Sequence, residues 1–528
     1  MSKLLLTFLL VPFLLAAQPK VSRTHAEASI QGADVVGFAR EPNTNQLLVF
    51  NSSIDKEATI LKIKYRWAVD VFTPDLKLVS KGQPEKLQFP DGDRANATTI
   101  ASLGGVPKML FSQYEKKEKK RKIYGASVEK GGKIGALQLL GSLVGNLPEE
   151  EEMPSSTYSL DSAYLLLMLP IQKTKKNIPS TEASVKISCL VLDRNWKVVR
   201  EEVLTLPGNE EEYRIGNAII NTDGSIWLPV WTREVKTSMP QEIWVWEKGK
   251  AVVKRIDISL SSKFLITSIA LQQSGDNIYA GGTYTIHDKN AQKAIFSPPH
   301  PNLYDDHPPQ GTFLIKVGLN THTILSKTSN RFSEPILKYW EKTSEELDNG
   351  RGLKHIVINE ICPLPDGGAW LCLENYYYEP ENVSTTSSNK GKKHYHGSAI
   401  LVQYNAEDKI IEEFKVAKGI YGYHPAYSGY FFASNAKNTL MLYNDHKVNL
   451  DQSNKTFHGV VTVSLYGKPH AAMYYTGYKN GAVKPQELFK DTEKDARIQP
   501  HIYFEIAPGS FVFSYNGGKD YGLFKVEM

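Results

Sequence analysis

The sequence is short of cysteine, of helical periodicity and of long apolar runs, and each shortage narrows the choice of fold. Three cysteines in 528 residues cannot build a disulfide framework. No segment after the first 15 residues is long and apolar enough to cross a bilayer, which takes roughly 20 apolar residues. Helical spacing is confined to residues 333–350, where Ser333 is a candidate cap and Pro335 suits the first turn. We therefore expect an all-β protein with no membrane span.

Motifs of catalysis and of metal binding are also missing. The sequence has neither the Gly-x-Ser-x-Gly turn of hydrolases nor the His-Glu-x-x-His motif of zinc proteases. His300 and His307 lie in one segment, and His394 and His396 in another, but neither pair has the spacing of a metal site. The sequence therefore predicts no cofactor, no metal ion and no catalytic residues.

The first 18 residues have the pattern of a secretory signal peptide. Lys3 supplies the charge, residues 4–15 form the apolar stretch, and Ala16 and Ala17 provide small residues at the exit. We expect residues 19–528 to be exported as a single domain that acts in a periplasm, at a cell surface or outside the cell. The formal net charge of +5 is too small to predict a nucleic-acid partner.

A repeat unit recurs about every 65 residues along the chain. Each unit begins with an apolar strand, a tight turn and a strand with an aromatic residue, and it ends with two strands around a short polar turn. The clearest copies are 217–260, 266–327 and 356–416. Alternating strands with regular turns are found in sandwiches and barrels, but a repeated four-stranded unit favours the blades of a β-propeller.

The two ends of the chain complete the ring in this interpretation. Seven units fill residues 33–495, and residues 501–528 supply only three further strands. Residues 19–30 resemble the missing fourth strand, and adding them removes an exposed sheet edge. The prediction is a propeller of eight four-stranded blades, with seven blades as the alternative and a pair of smaller β domains as the third choice.

The long connections predict a working face. Links between second and third strands, and between blades, emerge on one side of the ring, where binding residues tend to lie. Several of these links are basic, aromatic or rich in histidine. The candidate binding residues are Lys119, Lys120, Arg121, Lys175, Lys176, Tyr304, Tyr376, Tyr377, Lys392, Lys393, His394 and His396. In the first strands, the positions expected to line a central channel are polar: Asn217, Ser268, Asn359 and His501.

Two cysteines flank a hairpin turn. A three-residue loop, 366–368, would place Cys362 directly opposite Cys372, where the two could form a disulfide in an oxidising compartment. Two buried thiols are the equal alternative. Cys189 is expected to be a core residue.

The sixth unit resembles a family of uncharacterised exported proteins of Bacteroidetes. The similar features are DGGAWLCLENYYYEP from Asp366, in which an Asp-Gly-Gly hairpin leads to a glutamate and a Tyr-rich strand, and HYHGSAILVQYNAEDKIIEEFKV from His394. A later Asn-Asp-x-x-x-Asn motif matches Asn444, Asp445 and Asn449. The sequence departs from the family at Gly397, where the family has Asn-Asp-Ile. The resemblance implies export and a propeller-like architecture, and it brings no assigned activity.

These observations favour an exported, non-catalytic propeller that serves as a binding or scaffold module in the cell envelope, as a component of a protein assembly. Its expected partner is an envelope protein or a glycan, with an acidic partner as one option. The first alternative is a glycan-active enzyme, a lyase or hydrolase, with its site in the central funnel. The second is a sensor of a ligand or metal ion.

Overall fold

The computed structural model describes most of the chain, in the following segments. They are residues 19–25, 34–41, 44–54, 65–93, 95, 98–145, 154–171, 184–207, 213–232, 241–250, 252–286, 308–349, 351–380, 392–422, 427–435, 438–451, 456–464, 470–477, 481–482, 485–489, 497–516 and 521–528. The predicted signal peptide, residues 1–18, lies outside them. No helix in these segments is long and apolar enough to span a membrane.

The described residues form eight separate sheets, which we number as blades in chain order after the first strand, β1 (Lys20–His25). Blade 1 contains β2 (Asp34–Arg40), β3 (Leu47–Ile54), β4 (Tyr65–Phe72) and β5 (Leu78–Ser80). Blade 2 contains β6 (Thr98–Leu103), β7 (Val106–Glu115), β8 (Lys120–Ser127) and β9 (Gln138–Val144). Blade 3 contains β10 (Ser155–Tyr158), β11 (Tyr164–Ile171), β12 (Ser184–Asp193) and β13 (Val198–Pro207).

Blades 4 and 5 continue the pattern, and two short helices follow them. Blade 4 contains β14 (Tyr213–Ile215), β15 (Ile219–Ile220), β16 (Ile226–Thr232), β17 (Glu242–Trp246) and β18 (Lys254–Asp257). Blade 5 contains β19 (Phe264–Ser274), β20 (Asn277–Ile286), β21 (Gly311–Gly318) and β22 (Ile324–Arg331). The helices are α1 (Glu334–Tyr339) and α2 (Ser344–Asp348), and they lie within the segment whose spacing predicts helix.

Blades 6 to 8 complete the ring. Blade 6 contains β23 (Ile356–Pro363), β24 (Ala369–Pro380), β25 (Lys392–Tyr404), β26 (Ile410–Val416), β27 (Ile420–Gly422) and β30 (Val463–Ser464). Blade 7 contains β28 (Tyr430–Ser434), β29 (Asn438–Asp445), β31 (His470–Gly477), β32 (Gly481–Ala482) and β33 (Gln486–Glu487). Blade 8 contains β34 (Arg497–Ala507), β35 (Ser510–Asn516), β36 (Tyr521–Glu527) and β1.

Apolar side chains between successive blades hold the ring together. The described residues form eight buried apolar clusters, and each cluster joins two neighbouring blades. In one of them Trp370 of blade 6 lies with Met441 of blade 7. In another Val512 of blade 8 lies with Val49 of blade 1, so the last blade packs against the first. The predicted all-β propeller is confirmed, and its core is a set of interfaces between sheets rather than one central cluster.

The two ends of the chain share blade 8. Strand β1 pairs antiparallel with β36, from Lys20 opposite Glu527 to His25 opposite Gly522. The other sheets are made of consecutive strands, except that blade 6 also takes β30 from the segment between β29 and β31 of blade 7. Blade 8 thus unites strands from both ends of the chain. This is the pairing that the sequence predicts, although residues 26–30 of the predicted closing segment lie outside the described part of the chain.

The predicted opposition of the two cysteines is wrong. The hairpin between β23 and β24 has a five-residue loop, 364–368, in which the Leu364 N–H donates to the Gly368 carbonyl at 2.8 Å. The longer loop moves the register by two residues, so Cys362 faces Trp370 and Cys372 faces Glu360. Diagonal neighbours on a sheet lie about 7–8 Å apart, beyond the usual reach of a disulfide. Both thiols are free, as is that of the buried Cys189.

Candidate functional site

A cavity of about 470 Å³ lies where the first strands of several blades converge. Its walls come from blades 4, 6, 7 and 8. They include Asn217, Ile358, Asn359, Glu360, Glu374, Tyr376, His394, His396, Tyr430, Phe431, Phe432, Pro500, His501 and Tyr503. Three of the four predicted channel positions, Asn217, Asn359 and His501, are therefore confirmed as lining residues. Ser268 is instead buried, and its hydroxyl accepts from the Ile358 N–H at 3.1 Å.

Blade 6 contributes side chains from three strands because two of its strands are long and irregular. Strands β24 and β25 have 12 and 13 residues, and they extend past β23, which has 8. A bulge in β23 leaves Asn359 without a partner residue in the β23–β24 ladder. A second irregularity between Glu374 and Tyr376 changes the register with β25. Bulges of this kind redirect side chains and are frequent beside functional sites.

Gly397 lies against the Asn375 side chain at the second irregularity. A Cβ on Gly397 would lie 2.6 Å from the Asn375 Oδ1, which is closer than real contacts allow. A larger residue at 397, where the sequence departs from the resembled family, would therefore require the Asn375 side chain to move.

A hydrogen-bonded ionic cluster forms part of the cavity wall; we call its members, Asn359, Glu374, His396 and Lys418, the Glu374 cluster. Glu374 is 1% exposed and Lys418 is fully buried. The Lys418 ammonium donates to the Glu374 Oε1. The Glu374 Oε2 accepts from the His396 Nδ1 at 2.9 Å and from the Asn359 amide at 3.0 Å. Both carboxylate oxygens are thus occupied by donors from three other segments.

The charges around Glu374 decide its ionisation. Burial alone would raise the pKa of Glu374, but the charge of Lys418 and the hydrogen bonds from Lys418 and His396 hold this pKa well below the ordinary value. Glu374 is therefore an ionised carboxylate. Removing such a charge from water costs several kcal/mol, by a rough estimate, unless paired groups replace its hydration. In the Glu374 cluster, the three donors replace the hydration of the carboxylate.

The Asn-Asp-x-x-x-Asn motif holds the surroundings of this cluster in place. Asp445 Oδ1 accepts from the Gly419 N–H at 3.0 Å and from the Asn449 amide at 2.8 Å. Gly419 directly follows Lys418, so the motif fixes the backbone that carries the ammonium group. The Asn444 side chain exchanges two hydrogen bonds with the backbone of Ile498, at 2.7 and 3.0 Å, and so fixes the strand that carries His501. These residues position the site and do not line it.

Three imidazoles face the cavity. His396 donates its Nδ1 proton to Glu374, and His394 shares a hydrogen bond of 2.8 Å with the Tyr376 hydroxyl. His501 lies against Gly429, whose φ of +78° favours glycine; a Cβ there would lie within 4 Å of both the His501 Nε2 and the His396 Nδ1. Desolvation lowers the pKa of His501 below its ordinary value, which favours the neutral imidazole.

A second carboxyl group lines the cavity in a different state. Glu360 is on β23, and burial raises its pKa from 4.5 to about 7. Burial also raises the pKa of Tyr430 well above its ordinary value, so its hydroxyl stays protonated. Two carboxyl groups whose surroundings move their pKa values in opposite directions are typical of acid and base positions.

We expect Glu360→Gln to stabilise the protein only at high pH. Between pH 4.5 and about 7 the unfolded chain loses the Glu360 proton while the folded chain keeps it, so stability falls as pH rises through this window. Glutamine cannot ionise. The free energy of unfolding of the variant, measured with urea, should exceed that of the natural protein by about 2 kcal/mol at about pH 8 and by little at about pH 5. Glu407→Gln, in the exposed β25–β26 turn, is the control. Equal effects at both pH values would contradict the raised pKa.

The predicted binding residues do not form one group. Tyr376, His394 and His396 line the cavity. Tyr377 is on the other face of β24, where its ring stacks on Tyr395 with 4.5 Å between centroids. Lys119 is exposed in the β7–β8 turn.

The prediction for Arg121 as an exposed loop residue is wrong. Arg121 is fully buried and donates to the Ser112 hydroxyl at 2.9 Å, because β7 and β8 stay paired up to Glu115 and Lys120. Alternate residues of this hairpin therefore point inward. Lys120 begins β8, and Lys392 and Lys393 begin β25. Lys175, Lys176 and Tyr304 lie outside the described residues, as do His300 and His307. In the described part of the chain no group of three or more His, Cys, Asp or Glu side chains is placed to hold a metal ion.

Sequence reasoning missed Glu360, Glu374, Lys418, Tyr430 and Tyr503. Glu374 had a signal, since it is the glutamate that follows the Asp-Gly-Gly hairpin in the resembled family. No sequence feature marks Lys418 as a site residue, because it is one lysine among many and only the fold brings it to Glu374.

No protein family and no curated protein matches this chain. Its shape is similar to solved structures at low identity. A prolyl endopeptidase has a TM-score of 0.40 and 9% identity over 93% of this chain and 55% of its own. The Dos1 propeller has a TM-score of 0.41 and 9% identity, over 95% of this chain and 93% of its own. Dipeptidyl peptidase 4 of Porphyromonas gingivalis has a TM-score of 0.41 and 9% identity, over 93% of this chain and 59% of its own. This chain thus spans little more than half the length of the two peptidases.

Proposed function

We propose that the protein is an exported binding module of the cell envelope and that it binds a neutral carbohydrate in its central cavity. The β-propeller fold supports a binding or scaffold role. A volume of about 470 Å³ lies in the usual range of small-molecule sites, roughly 300–1,000 Å³. The proposal rests chiefly on the lining of this cavity.

The lining combines the two kinds of surface that a sugar needs. Amides and imidazoles, such as those of Asn217, Asn359 and His501, supply donors and acceptors for hydroxyl groups. Aromatic rings supply flat apolar area for the faces of sugar rings. Tyr503 is 47% exposed although its ring packs edge-on against Phe431 at 4.6 Å, so one side of it remains available in the cavity.

The charge of the cavity favours a neutral ligand over an acidic one. No lysine or arginine is among the described residues that line it. The nearby Lys418 ammonium is neutralised by Glu374. An acidic sugar would therefore meet two carboxyl groups and, among the described lining residues, no lysine or arginine to pair with its own charge.

We expect Tyr503→Ala to weaken sugar binding by about tenfold, because the substitution removes the most exposed ring of the cavity. Isothermal titration of the full chain with neutral oligosaccharides and with uronic-acid oligosaccharides measures this. Tyr158→Ala is the matched control, since Tyr158 is 38% exposed on β10, away from the cavity. Equal affinity of Tyr503→Ala and the natural protein, or a preference for the acidic sugars, would contradict the proposal.

A further inference from the structure

We infer that Glu360 and His396 are an acid–base pair that hydrolyses a glycoside bound in the central cavity, with inversion at the anomeric carbon. This inference rests on the proposed carbohydrate binding. It assigns Glu374 as the residue that positions His396.

Glu374 is poorly placed to act as a nucleophile, because it is 1% exposed and three hydrogen bonds hold its two oxygens. Its Oε1 accepts from Lys418, and its Oε2 accepts from His396 and Asn359. A carboxylate that attacks an anomeric carbon needs a free oxygen facing the sugar. Retaining glycosidases use such a carboxylate and form a covalent intermediate, whereas inverting enzymes activate a water molecule instead.

The same bonds fix the proton of His396. An ionised carboxylate only accepts hydrogen bonds, so the His396 Nδ1 carries a proton. In the neutral imidazole the other nitrogen, Nε2, is then the acceptor. This is how a carboxylate orients a histidine that acts as a general base. His396 lines the cavity, and its side chain keeps 12% exposure.

Glu360 is suited to donate the matching proton. The titratable groups on which the Glu360 charge acts, on its own and neighbouring strands, are Cys362 on β23, Cys372 on β24, Tyr430 on β28 and Tyr503 on β34. Burial raises the pKa of Cys362 to about 12 and holds the pKa values of Cys372 and Tyr430 well above their ordinary values, so these three groups are neutral at pH 7. Tyr503 is neutral as well, since the ordinary pKa of a tyrosine is about 10. Glu360 is thus the member of this group that titrates near pH 7.

The reaction balances with water as the only co-reactant. A water molecule gives one proton to His396 Nε2 while its oxygen bonds to the anomeric carbon. The bond between this carbon and the glycosidic oxygen breaks, and Glu360 gives its proton to the leaving oxygen. The products are two sugars with one new hydroxyl group each, and the proton on His396 returns through solvent to Glu360.

The test uses the full chain with disaccharides and with nitrophenyl glycosides of neutral sugars. Glu360→Gln should lower kcat/KM for disaccharides by about 10²–10⁴-fold, the usual contribution of a general acid. The loss should be much smaller for nitrophenyl glycosides, because a nitrophenolate leaves without a proton. His396→Gln should lower the rates for both substrates alike, and Glu407→Gln should change neither.

Three further results decide the inference. Proton NMR of the first product should show the inverted anomer, and the rate for disaccharides should fall as pH rises through about 7. Glu374→Gln should lower kcat for both substrates while KM changes little, a split that loss of packing alone would not produce. Retention of configuration, or equal disaccharide rates for Glu360→Gln and the natural protein, would overturn the inference. Binding without hydrolysis would overturn it and leave the proposed function standing, whereas absence of binding would remove both.

Discussion

Replacing Lys418 by methionine is expected to lower the free energy of unfolding by about 3–5 kcal/mol, the usual cost of breaking a buried ion pair. The size of the effect follows from burial: Lys418 is fully buried and Glu374 is 1% exposed, so the remaining carboxylate would be ionised without its main counter-charge. Urea unfolding measures it.

The double variant Glu374→Gln with Lys418→Met is the decisive comparison. Because it removes both charges, it should recover most of the stability that Lys418→Met loses. Lys447→Met is the matched control, since Lys447 is 65% exposed in its pair with Glu487 and such pairs contribute about 0–1 kcal/mol. If Lys418→Met costs no more than Lys447→Met, the buried pair is not formed in solution.

Removing β1 is expected to have the second large effect. A chain that starts at residue 26 lacks the six pairs between β1 and β36 and loses Val21, which packs against the cluster between blades 7 and 8. It should unfold at a temperature several degrees lower, by an order-of-magnitude estimate, and it should associate at high concentration because the backbone of β36 becomes an exposed edge. Thermal unfolding and light scattering compare it with a chain that starts at residue 19.

A peptide added in trans tests whether pairing is the cause. The peptide of residues 19–30 should restore the unfolding temperature of the shortened chain, because an extended peptide can add a strand to an open sheet edge. The same peptide with Thr24→Pro should restore less, since proline cannot donate to the ladder. A shortened chain that is as stable and as monomeric as the longer one would contradict closure by β1.

The fold could be predicted from the sequence because propeller blades are local. Each hairpin carries its own alternation and turn residues, so a repeat is visible without knowledge of distant contacts. The closing blade could also be predicted, since the three strands in residues 501–528 lack a fourth. Turn geometry was harder to predict. The loop at 364–368 has five residues, two more than expected, and this difference moves Cys362 out of register with Cys372.

The site could be predicted only in part, because it is assembled across blades. Asn217, Asn359 and His501 followed from their places in first strands. Lys418 follows β26 directly, at the point where the chain turns to β27, and it reaches Glu374 through contacts that no local motif records. The sequence has no catalytic motif and so favours a non-catalytic protein, but a site assembled across blades need not contain such a motif. A set of residues drawn from several segments leaves no short signature.

The ligand is expected to bind in the central cavity and not on the loops. A crystal structure of the protein with a neutral oligosaccharide that binds it in solution tests this most directly. We predict a sugar ring against Tyr503 with hydroxyl groups bonded to Asn359 and His501, beside Glu360. An oligosaccharide bound only to the connections between second and third strands, with the channel empty, would contradict the account.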